Sequence, residues 1–570
     1  MHRSGRGFVM ALTLLTAAGL RAQSGEEYYI NGIYNPTLAD VHKIDLRPQA
    51  FDTILPAKAI SYAMLEVKGE VPAHVDSIEA ARLNIQLAQE KLYKGFVKAG
   101  FGLYTTPLAE IYYDQTRSKT NGYGLHYKHM SSNGGIADRG PSDYSFNNLD
   151  GFYTAYLRHH EVTGRAFYER RRISYYGYHS TDSLENRMNN LGALPADTRK
   201  QVYNDIGFSI RAKSLFKDST KLAHDVGLDV HNLTNLSKSR ELNVKLDARL
   251  SMEQGPETYG GELLIDNNSY RGERDSLPEL RQNGTMVGLS PFVSTTDGRY
   301  LVRVGAGIYV DAMGKTTFHF YPQVYGQYRL FDDILVPYLG MDGRRIRNSF
   351  RSLSAENPFI TGAPGLMNSS LMYDLFGGLR GSLSRDVGFD VRISKNRIKD
   401  RPLFIGAANV ADSTGFGNRF IPIYDRVDQL DLCGELRYSH DEHINVHGAL
   451  HIFSYNTDVQ AEAWNLPDYT INLGAVYDFQ DKLLLKLEAQ FNGGRRVPLP
   501  VAGNWNDLSQ PPVSTDLKGY VDLYLGLEYR YTKRLSVFLD ISNLSASKYE
   551  RWYNYPVQRT LVLGGATFAF

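Results

Sequence analysis

From residue 241 to residue 250 apolar and polar side chains alternate without a break. Leu242, Val244, Leu246, Ala248 and Leu250 fall on one side, and Glu241, Asn243, Lys245, Asp247 and Arg249 on the other. Successive side chains of a strand point to opposite faces, so this segment predicts a strand with one apolar and one polar face. Residues 482–492 repeat the pattern with Leu484 as the single intruder, and residues 520–531 and 429–438 show it again. Runs of ten residues exceed the ~5–6 of an ordinary soluble strand and match the length that crosses a bilayer, where one face meets lipid and the other a wet lumen.

Read along the whole chain, the pattern predicts strands at 94–103, 108–116, 120–130, 149–159, 162–176, 203–215, 222–234, 240–252, 258–270, 283–295, 299–311, 315–329, 333–341, 370–383, 385–397, 427–440, 442–455, 467–479, 482–493, 516–531, 533–544 and 558–570. The fold class is therefore all-β: a transmembrane antiparallel up-and-down β-barrel of about 22 strands. The connections test the count. Links after even-numbered strands are short, as at Thr296-Asp297-Gly298, Gln480-Asp481 and Thr532. Links after odd-numbered strands are often long: 131–148, 177–202, 342–369, 398–426, 494–515 and 545–557. Short periplasmic turns and long extracellular loops give this parity, which puts residues before 94 and the C-terminus on the periplasmic side.

The N-terminus reads as a signal peptide over residues 1–22: a basic stretch with His2, Arg3 and Arg6, an apolar run from Phe8 to Leu20, and a small residue, Ala22, before Gln23. Its removal takes away three arginines and no acid, which leaves 60 basic against 62 acidic side chains. Such a balance gives no reason to expect nucleic acid as a partner. Residues 23–93 form a short periplasmic segment, extended around Pro36, Pro48 and Pro56 and helical around 77–93, free to act as tether or luminal filler. Residues 94–570 form the barrel. The 39 tyrosines suit a membrane–water boundary, and one cysteine, Cys433, excludes an internal disulfide.

Candidate chemistry is sparse. There is no G-x-S-x-G elbow, no H-E-x-x-H and no Walker loop, so no enzyme, metal or cofactor is expected. His443, His447 and His451 share a strand face, but a spacing of about 13 Å at ~3.3 Å per residue is too wide for one metal. Arg170, Arg171 and Arg172 put two cations on one face of a strand end, open to an anionic cargo or to lipopolysaccharide. Two sets of binding residues stand out. Lys245, Asp247, Arg249, Lys486, Glu488, Asp522, Glu528 and Arg530 form a luminal face of mixed sign. Arg344, Arg345, Arg347, Arg351, Phe359, Phe404, Phe416 and Phe420 crowd the two longest loops, where binding on a rigid scaffold usually sits. Phe568 and Phe570 end the last strand on the apolar set, as an assembly signal read by the barrel-insertion machinery would.

Residues 519–570 carry a family likeness. Asn543-Leu544, Tyr549, Tyr553 to Pro556, Arg559 and terminal Phe570 resemble the closing strands of TonB-dependent receptors. The resemblance implies a transport barrel of the 22-stranded size class. It also implies a large N-terminal plug, for which residues 23–93 are too short, and a TonB-contacting box, which Glu26 to Ile30 match poorly. The expectation is thus a plug-less, receptor-like barrel without the usual basis for TonB contact. It sits in outer-membrane lipid and lipopolysaccharide, and a surface lipoprotein or a periplasmic protein could partner it. It either passes a hydrophilic solute or, sealed, scaffolds a surface or periplasmic assembly.

Overall fold

The computed structural model describes residues 93–178, 199–274, 277–331, 334–406, 418–441, 443–498 and 514–570. The predicted signal peptide and nearly all of the predicted 23–93 segment lie outside them. Twenty-two strands pair in sequence order, each antiparallel to the next. They are β1 (Gly95–Gly102), β2 (Thr106–Gln115), β3 (Asn121–Ser132), β4 (Tyr144–Tyr156), β5 (His160–Ser174), β6 (Lys200–Ser214), β7 (Ala223–Asn235), β8 (Arg240–Gln254), β9 (Glu257–Arg274), β10 (Leu277–Asp297) and β11 (Tyr300–Met313). They continue with β12 (Lys315–Tyr328), β13 (Leu335–Ile346), β14 (Ser369–Ser382), β15 (Val387–Gly406), β16 (Phe420–His440), β17 (Ile444–Thr457), β18 (Tyr469–Phe479), β19 (Leu483–Asn492), β20 (Tyr520–Arg530), β21 (Leu535–Ser542) and β22 (Leu561–Ala569). Pairing of β22 with β1, from Gly102 opposite Leu563 to Phe96 opposite Ala569, closes the barrel and leaves no edge.

Alternation along each strand becomes two coaxial surfaces when the register is followed around the wall. Leu228, Leu246, Ile265, Val287, Val310 and Phe318 are successive cross-strand partners on β7 to β12, and they form a continuous apolar hoop outside. One residue along, Asp229, Lys245, Asp266, Met286, Asp311 and Thr317 form the matching hoop inside. A hoop of Leu, Ile, Val and Phe facing outward is stable only against hydrocarbon.

All 22 predicted strands occur, in the predicted order, and every link of more than eight residues follows an odd-numbered strand, although the links after β1, β7, β9 and β11 are short. The boundaries shift by four residues or more in five places. β13 runs on to Ile346 rather than 341, which puts Arg344 and Arg345 on the wall instead of in the predicted loop 342–369, and β20 starts at Tyr520 rather than 516. β4 begins at Tyr144 rather than 149. β9 and β10 run on to Arg274 and from Leu277, so the predicted link 271–282 is mostly hairpin. β15 continues to Gly406 and β16 starts at Phe420, which turns most of the predicted loop 398–426 into wall. A register shift between Ile398 and Arg401, with Asp400 at φ 56°, interrupts the alternation there and hides the continuation from a period-two reading.

The seam is closed by its last residue. The Phe570 backbone nitrogen donates to the Gly95 carbonyl, and the Phe570 carbonyl accepts from Lys94 and Gly95. The Phe570 ring covers Gly95 so closely that a Cβ there would lie 2.2 Å from it.

Candidate functional site

The link between β13 and β14, residues 347–368, folds into the lumen. Ser349 starts a short helix, α1 (Phe350–Glu356), by a reciprocal capping box with Ser352, and Asn357 ends it. Two of the helix N–H groups that no intrahelical partner can reach, those of Phe350 and Arg351, donate to the carboxylate of Glu241 on β8, at 2.5 and 3.1 Å. Glu241 is fully buried, and its charge lies at the helix end that favours an anion.

Further clamps hold the loop along the luminal wall. Arg345 pairs with Asp311 at 2.8 Å, Arg347 with Asp266 at 3.3 Å, and Arg351 with Asp205 at 2.5 Å. Tyr203 donates to the Pro358 carbonyl, Tyr175 to that of Ile360 and Tyr270 to that of Gly362. Gln282 of β10 both donates to the Leu366 carbonyl and accepts from the Leu366 nitrogen. On another part of the wall, Thr361 donates to the Phe420 carbonyl and the Phe420 nitrogen to the carbonyl of Phe359.

These contacts enclose one apolar cluster. Phe350, Leu353, Phe359, Ile360 and Leu366 of the loop pack with Tyr175, Tyr203, Leu233, Tyr270, Phe404, Phe420 and Tyr555. Tyr555 belongs to the link before β22, and its ring stacks on Phe359 at 3.7 Å between centroids. Its hydroxyl donates to the Asn418 carbonyl. Trp552 of the same link meets Phe404 and Phe420 edge-on or tilted. Segments after β5, β13 and β21, together with the start of β16, are thus joined across the outer half of the lumen.

The predicted binding residues separate into distinct environments. Arg345, Arg347, Arg351, Phe359, Phe404 and Phe420 are brought together as the clamps and apolar centre of this loop; Arg344 is exposed near Asp342, at 3.9 Å. Phe416 lies outside the described residues. On the luminal face Asp247 pairs with Arg211 at 2.9 Å, Arg249 with Glu262 at 2.9 Å and Arg530 with Asp478 at 2.7 Å. Asp522 accepts from Tyr549 at 2.5 Å, and Lys245 lies opposite Asp229 and Asp266. Lys486, Glu488 and Glu528 share that face. Of the three arginines at the end of β5, Arg171 turns inward toward the Ser354 carbonyl and Arg172 pairs with Asp143 at 2.6 Å. Phe568 and Phe570 stack with centroids 6.3 Å apart, both exposed on the exterior. Cys433 is buried beside His451, whose other ring nitrogen meets Asp431 at 3.2 Å.

Sequence reasoning did not find Asp205, Asp266, Tyr203, Tyr270 or Gln282. A signal was present: Tyr203 and Tyr270 are aromatic residues on the polar parity of their strands, near the outer end, where a solvated wall needs none.

No family model matches the chain, and no curated protein matches it. Solved structures do. The FrpB iron transporter of Neisseria meningitidis superposes with a TM-score of 0.64 at 9% identity, over 85% of this chain and 82% of that one. The ferric-catecholate import receptor Fiu of E. coli K12 gives 0.59 at 11% identity, over 85% and 82%. The pyoverdine receptor FpvA of Pseudomonas aeruginosa PAO1, bound to pyoverdine, gives 0.60 at 12%, over 84% and 79%. The fold is that of a TonB-dependent receptor barrel. At such identities the likeness is one of architecture, a closed 22-stranded antiparallel β-barrel.

Proposed function

We propose that this receptor-like barrel is a gated outer-membrane transport protein for a hydrophilic solute, with the loop 347–368 as its gate. The observation that carries the reading is the way the loop is held. Its ends are clamped by ion pairs and by backbone bonds to wall side chains, and water or a polar cargo can replace such bonds. A passage lined by Asp229, Lys245, Asp266 and their neighbours offers hydrogen bonds of both signs and little charge selectivity, which suits a hydrophilic cargo. The neighbours in fold are described as an iron transporter, a ferric-catecholate import receptor and a pyoverdine receptor, and that supports transport as the class.

The apolar cluster favours a second reading. Thirteen buried residues tie several outer segments together, and a permanently sealed barrel that scaffolds a surface or periplasmic assembly would be built this way. Single-channel conductance in a planar bilayer separates the two. We expect silence or rare openings from the intact protein and frequent steps once Glu241→Gln and Arg351→Gln loosen the loop. Silence from both forms, and also from a chain without residues 23–93, would sink the gate and leave the scaffold.

A further inference from the structure

The exterior of the barrel carries a feature that transport does not use. Arg240, Arg271 and Arg281 are direct cross-strand partners on three neighbouring strands: Arg240 lies opposite Arg271, and Arg271 opposite Arg281. All three face outward. Each is next in sequence to a residue turned to the luminal loop, namely Glu241, Tyr270 and Gln282. Strands lie about 4.8 Å apart, so the three Cα atoms span about 10 Å.

Like charges placed directly opposite one another destabilise a sheet. Arg240 and Arg271 form no ion pair or hydrogen bond with any described residue, and both are exposed. Arg281 meets Glu279 at 2.5 Å, while its side chain stays 65% exposed. Among the described residues the other carboxylate on this stretch, Glu273, is taken by Lys238 at 3.0 Å. Among the described residues the row therefore keeps an excess of positive charge, open to an outside anion.

What lies inward along the same strands says which anion. Ser269 donates to Asn283 at 2.8 Å, and Asn267 donates to Thr285 at 2.7 Å, so two exposed polar rungs follow the arginines. Next come Ile265 and Val287 of the apolar hoop. On β9 and β10 the order from the outer end is guanidinium, then amide and hydroxyl, then hydrocarbon, while on β8 Leu242 and Val244 bring hydrocarbon directly after Arg240. An outer-leaflet lipid has the same order in phosphate, sugar and acyl chain. Guanidinium matches phosphate bidentately.

We propose that Arg240, Arg271 and Arg281 form a docking site for the phosphate groups of a phosphorylated glycolipid of the outer leaflet, such as lipid A. The polar rungs contact its sugar, and its acyl chains lie on the apolar hoop. A free phosphate has the same charge but no use for the hoop, and the test separates the two.

The intact protein in detergent is titrated with bisphosphorylated lipid A, with its dephosphorylated form and with inorganic phosphate, and binding is read by native mass spectrometry. Bisphosphorylated lipid A should bind, with the affinity falling about tenfold or more in R240Q/R271Q/R281Q, as expected when charge-assisted contacts are lost. Arg158→Gln, at a periplasmic turn, should change nothing. Equal binding by the triple variant and the parent would overturn the site. Equal binding of the dephosphorylated lipid would overturn the role of phosphate. Displacement of the lipid by an equal concentration of inorganic phosphate would overturn the lipid assignment. Heat-modifiable gel mobility reports folding; if the triple variant does not fold, Arg271→Gln alone serves, with a smaller loss expected and no loss overturning the proposal.

Discussion

The two ends of this barrel are built on different principles. At the periplasmic end β18 and β19 are joined through Gln480 and Asp481, both with positive φ, at 54° and 55°. The turn closes on itself, with Lys482 donating to the Phe479 carbonyl, and farther along the chain it meets Arg530 of the adjacent β20, which donates to the Asp481 carbonyl at 3.4 Å. At the outer end the link 347–368 reaches Asp205, Glu241, Asp266 and Gln282 on one part of the wall and Phe420 on another. The contrast shows that one end only has to return the chain, whereas the other has to cover an opening. Covering requires partners from many strands. An error at the first end costs one turn; an error at the second loosens a whole network.

The largest effect should come from the aromatic centre. Phe359→Ala with Tyr555→Ala removes the 3.7 Å stack and should destabilise the outer links by about 3–5 kcal/mol, as core truncations of Phe do. Hydrogen exchange should then rise across 347–368 and 543–560 while the strands stay protected. Protection that persists in both links would show that the clamps alone hold the loop. Burial keeps the Tyr555 phenol well above its usual pKa, so this contact should not change with pH in the working range.

A smaller loss is expected from Glu241→Ala, which leaves two buried helix N–H groups without an acceptor. The cost should be about 2–3 kcal/mol, confined to α1, and exchange at Phe350 and Arg351 reports it. Arg351→Gln should cost only about 1 kcal/mol, because the arginine is 41% exposed and water screens its pair with Asp205. If that variant opened the channel as fully as Glu241→Ala, the ranking of the clamps would be wrong.

The smallest effect lies at the other end and has the opposite sign. Asp481→Gly relieves a left-handed residue in a turn whose contact with Arg530 is made through the backbone carbonyl and survives the substitution, and should stabilise by up to about 1 kcal/mol, read as a shift in the urea midpoint of unfolding. No gain would mean that the Asp481 side chain contributes more to the turn than its backbone costs.

Strand number, order and facing were legible because each depends on neighbours one or two residues away. Leu242 to Leu250 declare their face whatever the rest of the chain does. The extension of β15 was not legible, since the shift near Asp400 breaks the alternation that a reader follows. The loop residues were legible as a group, Arg347, Arg351 and Phe359 being conspicuous in a long link, with Arg345 just before it on β13, but their partners were not. Asp205 and Asp266 look like any other polar residue of a luminal strand.

The sequence by itself determined a closed, lipid-embedded wall, because period two, turn chemistry and link parity are local properties that a membrane converts into inside and outside. Only the tertiary structure decided that the link 347–368 turns into the lumen, that Glu241 caps its helix, and that three arginines from separate strands stand in one row. Those facts depend on register and on contacts between residues a hundred or more positions apart. No local pattern fixes them, since each is settled only when the ring of strands has closed.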